Sequence, residues 1–173
     1  MYKKIAFHHP FTAILAGPSG CGKTELLMKL LEKRRNMIEP YPKRIVYCYS
    51  EWQKKFEGYK DKFEFCQGIF DIDNFEPSEQ NLLILDDLLD ETQNDKSIFH
   101  LFTRGSHYRN ISVFLLSQNV FNKGKYSRKI NLNSHYLILF NNPRDKSQIQ
   151  YLAREMYPTN SKYLVESFLD ATS

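Results

Sequence analysis

The sequence predicts an α/β protein with a mainly parallel sheet of about five strands. Apolar runs of strand length alternate along the chain with segments whose apolar residues follow helical spacing. One of these runs ends abruptly in two carboxylates after four apolar residues, as expected of a strand that is buried on both faces. A chain of 173 residues with 42% hydrophobic residues suits one folded domain, residues 1–173.

The same patterns place the individual elements along the chain. Strands are expected at residues 11–16, 43–50, 81–85, 111–117 and 135–140. Helices are expected at residues 25–31 and 97–104, around Ile149, Leu152 and Met156, and around Leu164, Phe168 and Leu169. The polar and aromatic stretch 51–80 gives weaker signals, which favour a short strand at 63–66 and a helical turn at 75–79.

The composition limits where the protein works and what it binds. No apolar run approaches the roughly 20 residues that span a bilayer, and the N-terminus lacks the apolar core of a secretory signal, so we expect an intracellular, non-secreted protein without a membrane partner. Cys21, Cys48 and Cys66 form no Cys-x-x-Cys pair, which favours reduced thiols over a disulfide framework or a zinc site. The net charge of +4 is compatible with nucleic acid binding but does not demonstrate it.

The segment between the first strand and the first helix matches the phosphate-binding pattern G-x-x-x-x-G-K-[ST], also called Walker A. Its residues, all expected to contact the nucleotide, are Gly17, Pro18, Ser19, Gly20, Cys21, Gly22, Lys23 and Thr24. In such a loop the backbone N–H groups surround the phosphates, Lys23 reaches the β- and γ-phosphates, and the Thr24 hydroxyl ligates Mg²⁺. The match therefore predicts ATP and Mg²⁺ as cofactors.

Two alternatives concern this loop. A glycine-rich turn that fits the pattern by chance is disfavoured, because strand, loop and helix follow in the required order. Cys21 has no histidine beside it in sequence to activate it as a nucleophile, so we interpret it as a small space-filling residue.

Asp86 and Asp87 follow the buried run and look like a Walker B motif. Asp86 is expected to order the magnesium ion through water, and Asp87 to prepare a water nucleophile. The alternative is that one of the two caps a helix that begins near Leu88. Gln118 closes the fourth strand, where it either contacts the γ-phosphate or the attacking water, or satisfies backbone groups of its own loop.

The phosphate loop, residues 83–87, the strand that ends in Gln118 and the order of the strands resemble the FtsK–HerA superfamily. Within it, residues 109–118 and 142–149 make the chain most similar to viral genome-packaging ATPases of the poxvirus and Polinton/adintovirus kind. The resemblance implies a RecA/ASCE-like P-loop NTPase, a three-layer sandwich that hydrolyses ATP and translocates double-stranded DNA into a viral capsid. It further implies a homo-oligomeric ring of about five or six subunits, capsid or portal proteins as partners, and a location in the nucleus or cytoplasm of an infected host cell, including the capsid.

The sequence departs from that family at two places. Much of the superfamily has glutamate where this chain has Asp87, and the shorter side chain places the base farther from the water. Relatives commonly continue past the last helix, whereas this sequence stops at Ser173, so we expect a truncated C-terminus.

The resemblance also implies an arginine that reaches the site of the neighbouring subunit. Arg104, at the end of a predicted helix, is the first candidate and Arg109 the second, while Arg128 and Arg144 flank the fifth strand. Solvated surface arginines are the alternative. The basic stretch 122–129 is either a contact to the DNA backbone or a solvated connection between strands.

Two other functions remain open at this level: a small-molecule kinase of the nucleoside or nucleotide type, and a nucleotide-gated protein-interaction module. The kinase is disfavoured because no arginine-rich lid is recognisable and because paired aspartates with a glutamine fit water activation better. His8 and His9 have no third ligand at a suitable spacing, so we assign them no metal.

Overall fold

A six-stranded parallel sheet forms the centre of the protein in the computed structural model, which describes residues 6–88, 94–121 and 125–172. Its strands are β2 (Thr12–Ala16), β4 (Arg44–Tyr49), β5 (Glu64–Gln67), β6 (Asn81–Asp86), β7 (Ile111–Ser117) and β8 (Tyr136–Leu139). They lie in the order β5-β4-β6-β7-β2-β8. A separate pair, β1 (Phe7–His8) and β3 (Ile38–Glu39), is also parallel.

Helices connect the strands and cover both faces of the sheet. They are α1 (Lys23–Glu32), α2 (Arg34–Met37), α3 (Lys96–His100), α4 (Ser106–Arg109), α5 (Ser127–Leu132), α6 (Ser147–Met156) and α7 (Ser161–Ala171), with 3₁₀ helices at Lys54–Tyr59 and Ile72–Asn74. A π-helical turn, Leu101–Gly105, joins α3 to α4 without interruption. None of the helices in the described part of the chain has both the length and the apolar character needed to cross a membrane.

Alternate side chains of each strand point into two separate hydrophobic cores. One core packs sheet residues such as Leu15, Tyr47 and Ile84 against α1. The other packs their strand neighbours, such as Ile14 and Leu85, against the helices on the opposite face. The central strands β2, β6 and β7 are buried at every residue and mostly apolar because helices cover both faces of the sheet, which makes the architecture a three-layer sandwich.

The predicted α/β class and all of the predicted strands are confirmed, and the sheet has six strands because the weak signal near residue 65 is a true edge strand, β5. The helical turn expected at 75–79 is wrong. That segment is a turn closed by the Glu79 N–H donating to the Glu76 carbonyl at 3.0 Å, and the 3₁₀ helix lies before it. The elements β1, α2, β3 and α5 were not predicted, since each has at most six residues and carries too little periodicity.

The strand order brings three chain segments that are distant in sequence to one edge of the sheet. Strand β7 lies between β2 and β6, with Ser117 opposite Ala16 and Leu116 opposite Asp86. Because all three strands are parallel, the residues that follow them emerge side by side at the carboxyl edge. Such an edge, next to a crossover between strands, is where open parallel sheets bind their ligands.

At the opposite edge of the sheet, His9 joins the N-terminal segment to the start of β7. Its Nε2 donates to Asn110 Oδ1 at 2.9 Å, and its Nδ1 accepts from the Ser112 hydroxyl at 2.5 Å. The Ser112 oxygen in turn accepts the Phe11 N–H at 3.1 Å. Burial lowers the pKa of His9 despite the opposing hydrogen bond to Asn110, which favours the neutral imidazole that this arrangement uses.

We expect acid to destabilise the fold partly through His9. Its pKa is lower in the folded chain than the ordinary value of 6.5, so the unfolded chain takes up the proton first as the pH falls. The contribution of neutral His9 to the free energy of unfolding is complete at pH values above the ordinary pKa of 6.5. It is lost as the pH falls through the pKa that His9 has in the folded chain. Urea unfolding between about pH 7.5 and 5.0 should show this loss, and His9→Gln should reduce the slope.

His8→Gln is the matched control, because His8 is its exposed neighbour. Burial also lowers the pKa of His135, so part of the pH dependence should survive in the His9 variant. An unchanged slope in His9→Gln would contradict the assignment.

Candidate functional site

The phosphate loop begins where β2 ends and is held against the neighbouring strands. The Gly17 N–H donates to the Ser117 carbonyl at 3.1 Å, which continues the pairing of β2 with β7. A side chain at position 17 would place its Cβ 2.5 Å from the Phe140 Cβ and 2.8 Å from the Cys21 sulfur, so only glycine fits there. Cys21 therefore packs inside the loop.

Helix α1 starts within the motif, at Lys23, and turns its positive end toward the same space. Gly22 at its N-cap has φ 96°, a conformation that glycine adopts without strain, and no side chain caps the helix. The Lys23 ammonium donates to the carbonyls of Gly17 at 2.6 Å and Pro18 at 2.9 Å, which closes the loop on itself. Uncapped amides and an ammonium at a helix N-terminus form a site for an anion.

Asp86 is buried at the end of β6 and receives two hydroxyl donors. The Tyr47 hydroxyl donates to Oδ2 at 2.5 Å, and the Thr24 hydroxyl donates to the same oxygen at 3.3 Å. Burial raises the pKa of Asp86, while these hydroxyls and the charge of Lys55 act in the opposite direction. The raised pKa of Tyr47, caused first by burial and then by Asp86, keeps that hydroxyl a donor.

Asp87 turns the chain sharply at the edge of the sheet. It has φ 57°, in the left-handed region that non-glycine residues seldom adopt, and its side chain is exposed. The Gln118 amide donates to Asp87 Oδ1 at 3.4 Å. The two residues expected to act on water therefore lie together, one at the end of β6 and the other after β7.

These residues surround one cleft of about 380 Å³. Besides the loop, it is lined by Gln53, Lys55, Asp86, Asp87 and Gln118. A second opening beside it is lined by Pro18, Ser19, Gln118 and Arg144. Every residue that the sequence predicted for nucleotide, metal and water therefore lies at this edge, and their roles in binding and catalysis stay predictions.

The donor set at Thr24 and Asp86 fits magnesium. A hydroxyl and a carboxylate oxygen are hard ligands of the kind that Mg²⁺ prefers, with phosphate oxygens and water completing its coordination. Residues 6–88, 94–121 and 125–172 contain no group of three or more His, Cys, Asp or Glu side chains that would hold a metal without such help.

The two candidate arginines lie outside the cleft of their own chain. Arg104 is exposed on the π-helical turn, and within the described residues it forms no ion pair. Arg109 precedes β7 at the opposite edge of the sheet and forms an ion pair with Asp73. An action of either residue on a neighbouring subunit stays a prediction.

The basic stretch is described only in part, because residues 122–124, including Lys123, lie outside the described residues. Arg128 and Lys129 lie in α5, so part of the expected connection is helical. The Lys125 ammonium lies over the Tyr126 ring and that of Lys129 over the Phe99 ring, at 5.2 and 5.8 Å from the ring centroids. The DNA contact and the solvated connection both stay predictions. The helix expected to begin near Leu88 falls mostly on residues 89–93, which are also outside the described residues.

The sequence did not indicate Tyr47, which is buried behind the cleft, or Lys55, which lines it. Tyr47 reads as one more apolar position of a buried strand, and only the pairing of β4 with β6 reveals its contact with Asp86. Lys55 lies in a polar stretch with several other lysines, and nothing in its spacing distinguishes it.

Comparisons with known proteins support the fold. A solved structure of the genome packaging NTPase B204 from Sulfolobus turreted icosahedral virus 2, in complex with AMP, matches with a TM-score of 0.61 and 12% identity, covering 90% of this chain and 86% of that chain. B204, the DNA-packaging ATPase from Sulfolobus turreted icosahedral virus, matches with a TM-score of 0.58 and 10% identity, covering 90% and 87%. No family model and no curated protein matches the chain. At these identities the likeness shows a shared P-loop NTPase fold.

We expect Tyr47→Phe to destabilise the protein by about 1–3 kcal/mol, because Asp86 loses a buried hydrogen-bond donor while the aromatic packing is kept. The pKa of Asp86 should rise further, since the lost hydrogen bond lowers it. Urea unfolding measures the first effect, and a carboxyl NMR titration measures the second.

Tyr49→Phe serves as the control, because Tyr49 lies on the same strand. Its hydroxyl forms no hydrogen bond within the described residues. Its free energy of unfolding should stay within about 0.5 kcal/mol of the parent protein. Equal stability of the two variants would mean that the Tyr47 hydroxyl does not support Asp86.

Proposed function

We propose that this protein is an ATPase that works as a DNA-packaging motor in a homo-oligomeric ring. The observation that carries the proposal is the meeting of two pairs at the carboxyl edge of the sheet: Thr24 with Asp86, and Asp87 with Gln118. The first pair suits a phosphate-bound magnesium ion, and the second suits a water molecule. A phosphate site beside a water-activating site is what hydrolysis of a nucleoside triphosphate requires.

The proposed chemistry divides among the residues of the cleft. The amides at the start of α1 and the Lys23 ammonium bind the β- and γ-phosphates of ATP, and the ammonium exchanges its contacts with the Gly17 and Pro18 carbonyls for phosphate oxygens. Magnesium, when bound through Thr24 and Asp86, neutralises charge on these phosphates.

Water activation is assigned to the second pair. Gln118 orients the water, and Asp87 takes its proton as the water oxygen attacks the γ-phosphorus. The bond between that phosphorus and the β–γ bridging oxygen breaks, which leaves ADP and inorganic phosphate.

The motor function rests on the similarity in fold to B204, which extends over 90% of this chain. That protein is a genome packaging NTPase, and its structures include a complex with ATP-gammaS. We extend the comparison to double-stranded DNA, to a ring of about five or six subunits and to a capsid or portal partner in an infected cell. Membership of the FtsK–HerA superfamily, on the poxvirus-like side, is part of the same proposal.

The first test is the ATPase rate as a function of protein concentration, with and without double-stranded DNA. A ring motor should show a steep dependence on concentration and stimulation by DNA, and Lys23→Ala should abolish nucleotide binding. Asp87→Asn should keep nucleotide binding and lose most turnover, by about 10²-fold or more, because it removes the base. Asp61→Asn, at an exposed carboxylate in the turn after the 3₁₀ helix, is the charge-matched control.

Other outcomes would point to the other functions. Full turnover in Asp87→Asn would contradict the assigned base. Hydrolysis that is indifferent to DNA and to protein concentration would contradict the motor. Phosphorylation of a nucleoside from labelled ATP would support a kinase, and stimulation only by a protein partner would support an interaction module.

The arginine that acts between subunits can be identified by mixing inactive variants. A subunit with Arg104→Ala keeps an intact phosphate loop, and a subunit with Lys23→Ala keeps Arg104. A ring that contains both should therefore form a complete site wherever the Arg104→Ala subunit receives the arginine of a neighbouring Lys23→Ala subunit. Ring contacts are head-to-tail, so each interface combines the phosphate loop of one subunit with the arginine of the next. With two variants in equal amounts, about a quarter of the interfaces have the required combination. Single-turnover hydrolysis should therefore return in the mixture alone.

Arg109→Ala mixed with Lys23→Ala is the matched comparison, since Arg109 already has an ion-pair partner in its own chain. Rescue in that mixture but not in the Arg104 mixture would reassign the role to Arg109. Absence of rescue in both would remove both candidates.

A further inference from the structure

Lys55 places a second ammonium at the cleft, in addition to that of the phosphate loop. It lines the cleft that contains Asp86, Asp87 and Gln118. It also lines the adjoining cleft along the loop and the first turn of α1, together with Lys23 and Thr24. Lys55 thus borders both the phosphate side and the water side of the site.

The backbone at Lys55 is held by the residue that follows it. Phe56 is 0% exposed, and its ring packs against Tyr47 at 5.0 Å and Phe65 at 5.3 Å between centroids. Its N–H donates to the Gln53 carbonyl at 2.9 Å. The aromatic cluster that orients the Tyr47 hydroxyl toward Asp86 therefore also determines where Lys55 emerges.

The other end of the same 3₁₀ helix is joined to α1. The Tyr59 hydroxyl donates to Glu32 Oε1 at 2.9 Å. The segment that carries Lys55 is consequently attached both to the sheet below Asp86 and to the helix that follows the phosphate loop. The backbone position of Lys55 beside the cleft is therefore set by packing at both ends of the 3₁₀ helix.

The charge of Lys55 is directed at the site and is not neutralised locally. Within residues 6–88, 94–121 and 125–172, no carboxylate forms an ion pair with it. Burial raises the pKa of Asp86 and the charge of Lys55 opposes that rise, while the hydrogen bond from Lys29 lowers the pKa of Glu25 and the charge of Lys55 adds to that effect. The nearest other lysine in the sequence, Lys54, lines neither cleft.

We propose that Lys55 is a further catalytic residue, which contacts the γ-phosphate and so distinguishes a nucleoside triphosphate from a diphosphate. This inference rests on the proposed function, since it assigns the γ-phosphate to the cleft between Lys23 and Asp87. A cation at this place stabilises the charge that develops on the transferred phosphoryl group. The residue acts within its own chain and is distinct from any arginine that a neighbouring subunit supplies.

The experiment compares two binding affinities in the presence of Mg²⁺, one for ADP and one for the non-hydrolysable triphosphate AMPPCP. Lys55→Ala should weaken the affinity for AMPPCP by about tenfold or more and keep the affinity for ADP within about twofold of the parent value. Only the triphosphate has the γ-phosphate that Lys55 is proposed to contact. Turnover of ATP should fall at least as much. Lys55→Arg, which keeps the charge, should restore most of the preference for the triphosphate.

Lys54→Ala is the control, since it removes the neighbouring ammonium of the same 3₁₀ helix. It should leave both affinities and the turnover unchanged. Thermal unfolding of both variants tests for a merely structural role, because the Lys55 ammonium also lies 5.9 Å from the centroid of the Phe56 ring. Equal melting temperatures with unequal AMPPCP affinities support a contact to the ligand.

The outcomes separate this inference from the function on which it rests. Suppose that the parent protein hydrolyses ATP. If Lys55→Ala then has the same affinities as Lys54→Ala, or loses affinity for ADP and AMPPCP equally, the role proposed for Lys55 is wrong and the proposed ATPase activity stands. If the parent protein binds AMPPCP without hydrolysing ATP, the ATPase is wrong, and the affinity ratio still decides for or against Lys55. If the parent protein binds neither nucleotide, both are wrong.

Discussion

Burying the Asp86 carboxylate at the end of β6 obliges its neighbours to supply hydrogen-bond donors, because a charged group that leaves water without partners is strongly destabilising. The donors come from two other elements, Thr24 at the start of α1 and Tyr47 on β4. The Tyr47 ring that carries one of these hydroxyls is packed among other aromatic side chains, Phe56 and Phe65 among them. One carboxylate therefore couples the phosphate loop, the neighbouring strand and the 3₁₀ helix that follows it.

The sheet supplies the second half of the arrangement. Strand β7 lies between β2, which leads into the phosphate loop, and β6, which ends at the aspartate pair. Each of these two strands is about 4.8 Å from β7. Gln118 emerges in that interval, within reach of Asp87. The left-handed conformation of Asp87 turns its carboxylate out toward the glutamine while Asp86 remains buried. Two adjacent residues of the same type thus occupy different environments, which suits two different tasks.

The sequence allowed the class of fold and much of this edge to be predicted, since buried parallel strands are continuous apolar runs and a phosphate loop constrains residue type at each position. What it did not reveal depends on contacts between distant segments. Tyr47 has the same local pattern as any buried strand residue, and the position of Lys55 at the cleft depends on the burial of Phe56. The arginines are different again, because Arg104 and Arg109 would act on another copy of the chain. The short elements α2 and α5 lack enough residues for a periodic signal.

Because of the π-helical turn at Leu101–Gly105, the number of residues in this helix determines how its two halves are rotated relative to each other. A π turn contains one residue more than regular α-helix would need, and deleting that residue would rotate everything on one side of it by about 100° about the helix axis. The widened turn also brings the His100 carbonyl to 3.0 Å from where a Cβ at Gly105 would lie. The direction of Arg104 therefore depends on the number of residues in this segment as well as on their identity, and an insertion or deletion here would redirect Arg104 even with every side chain kept.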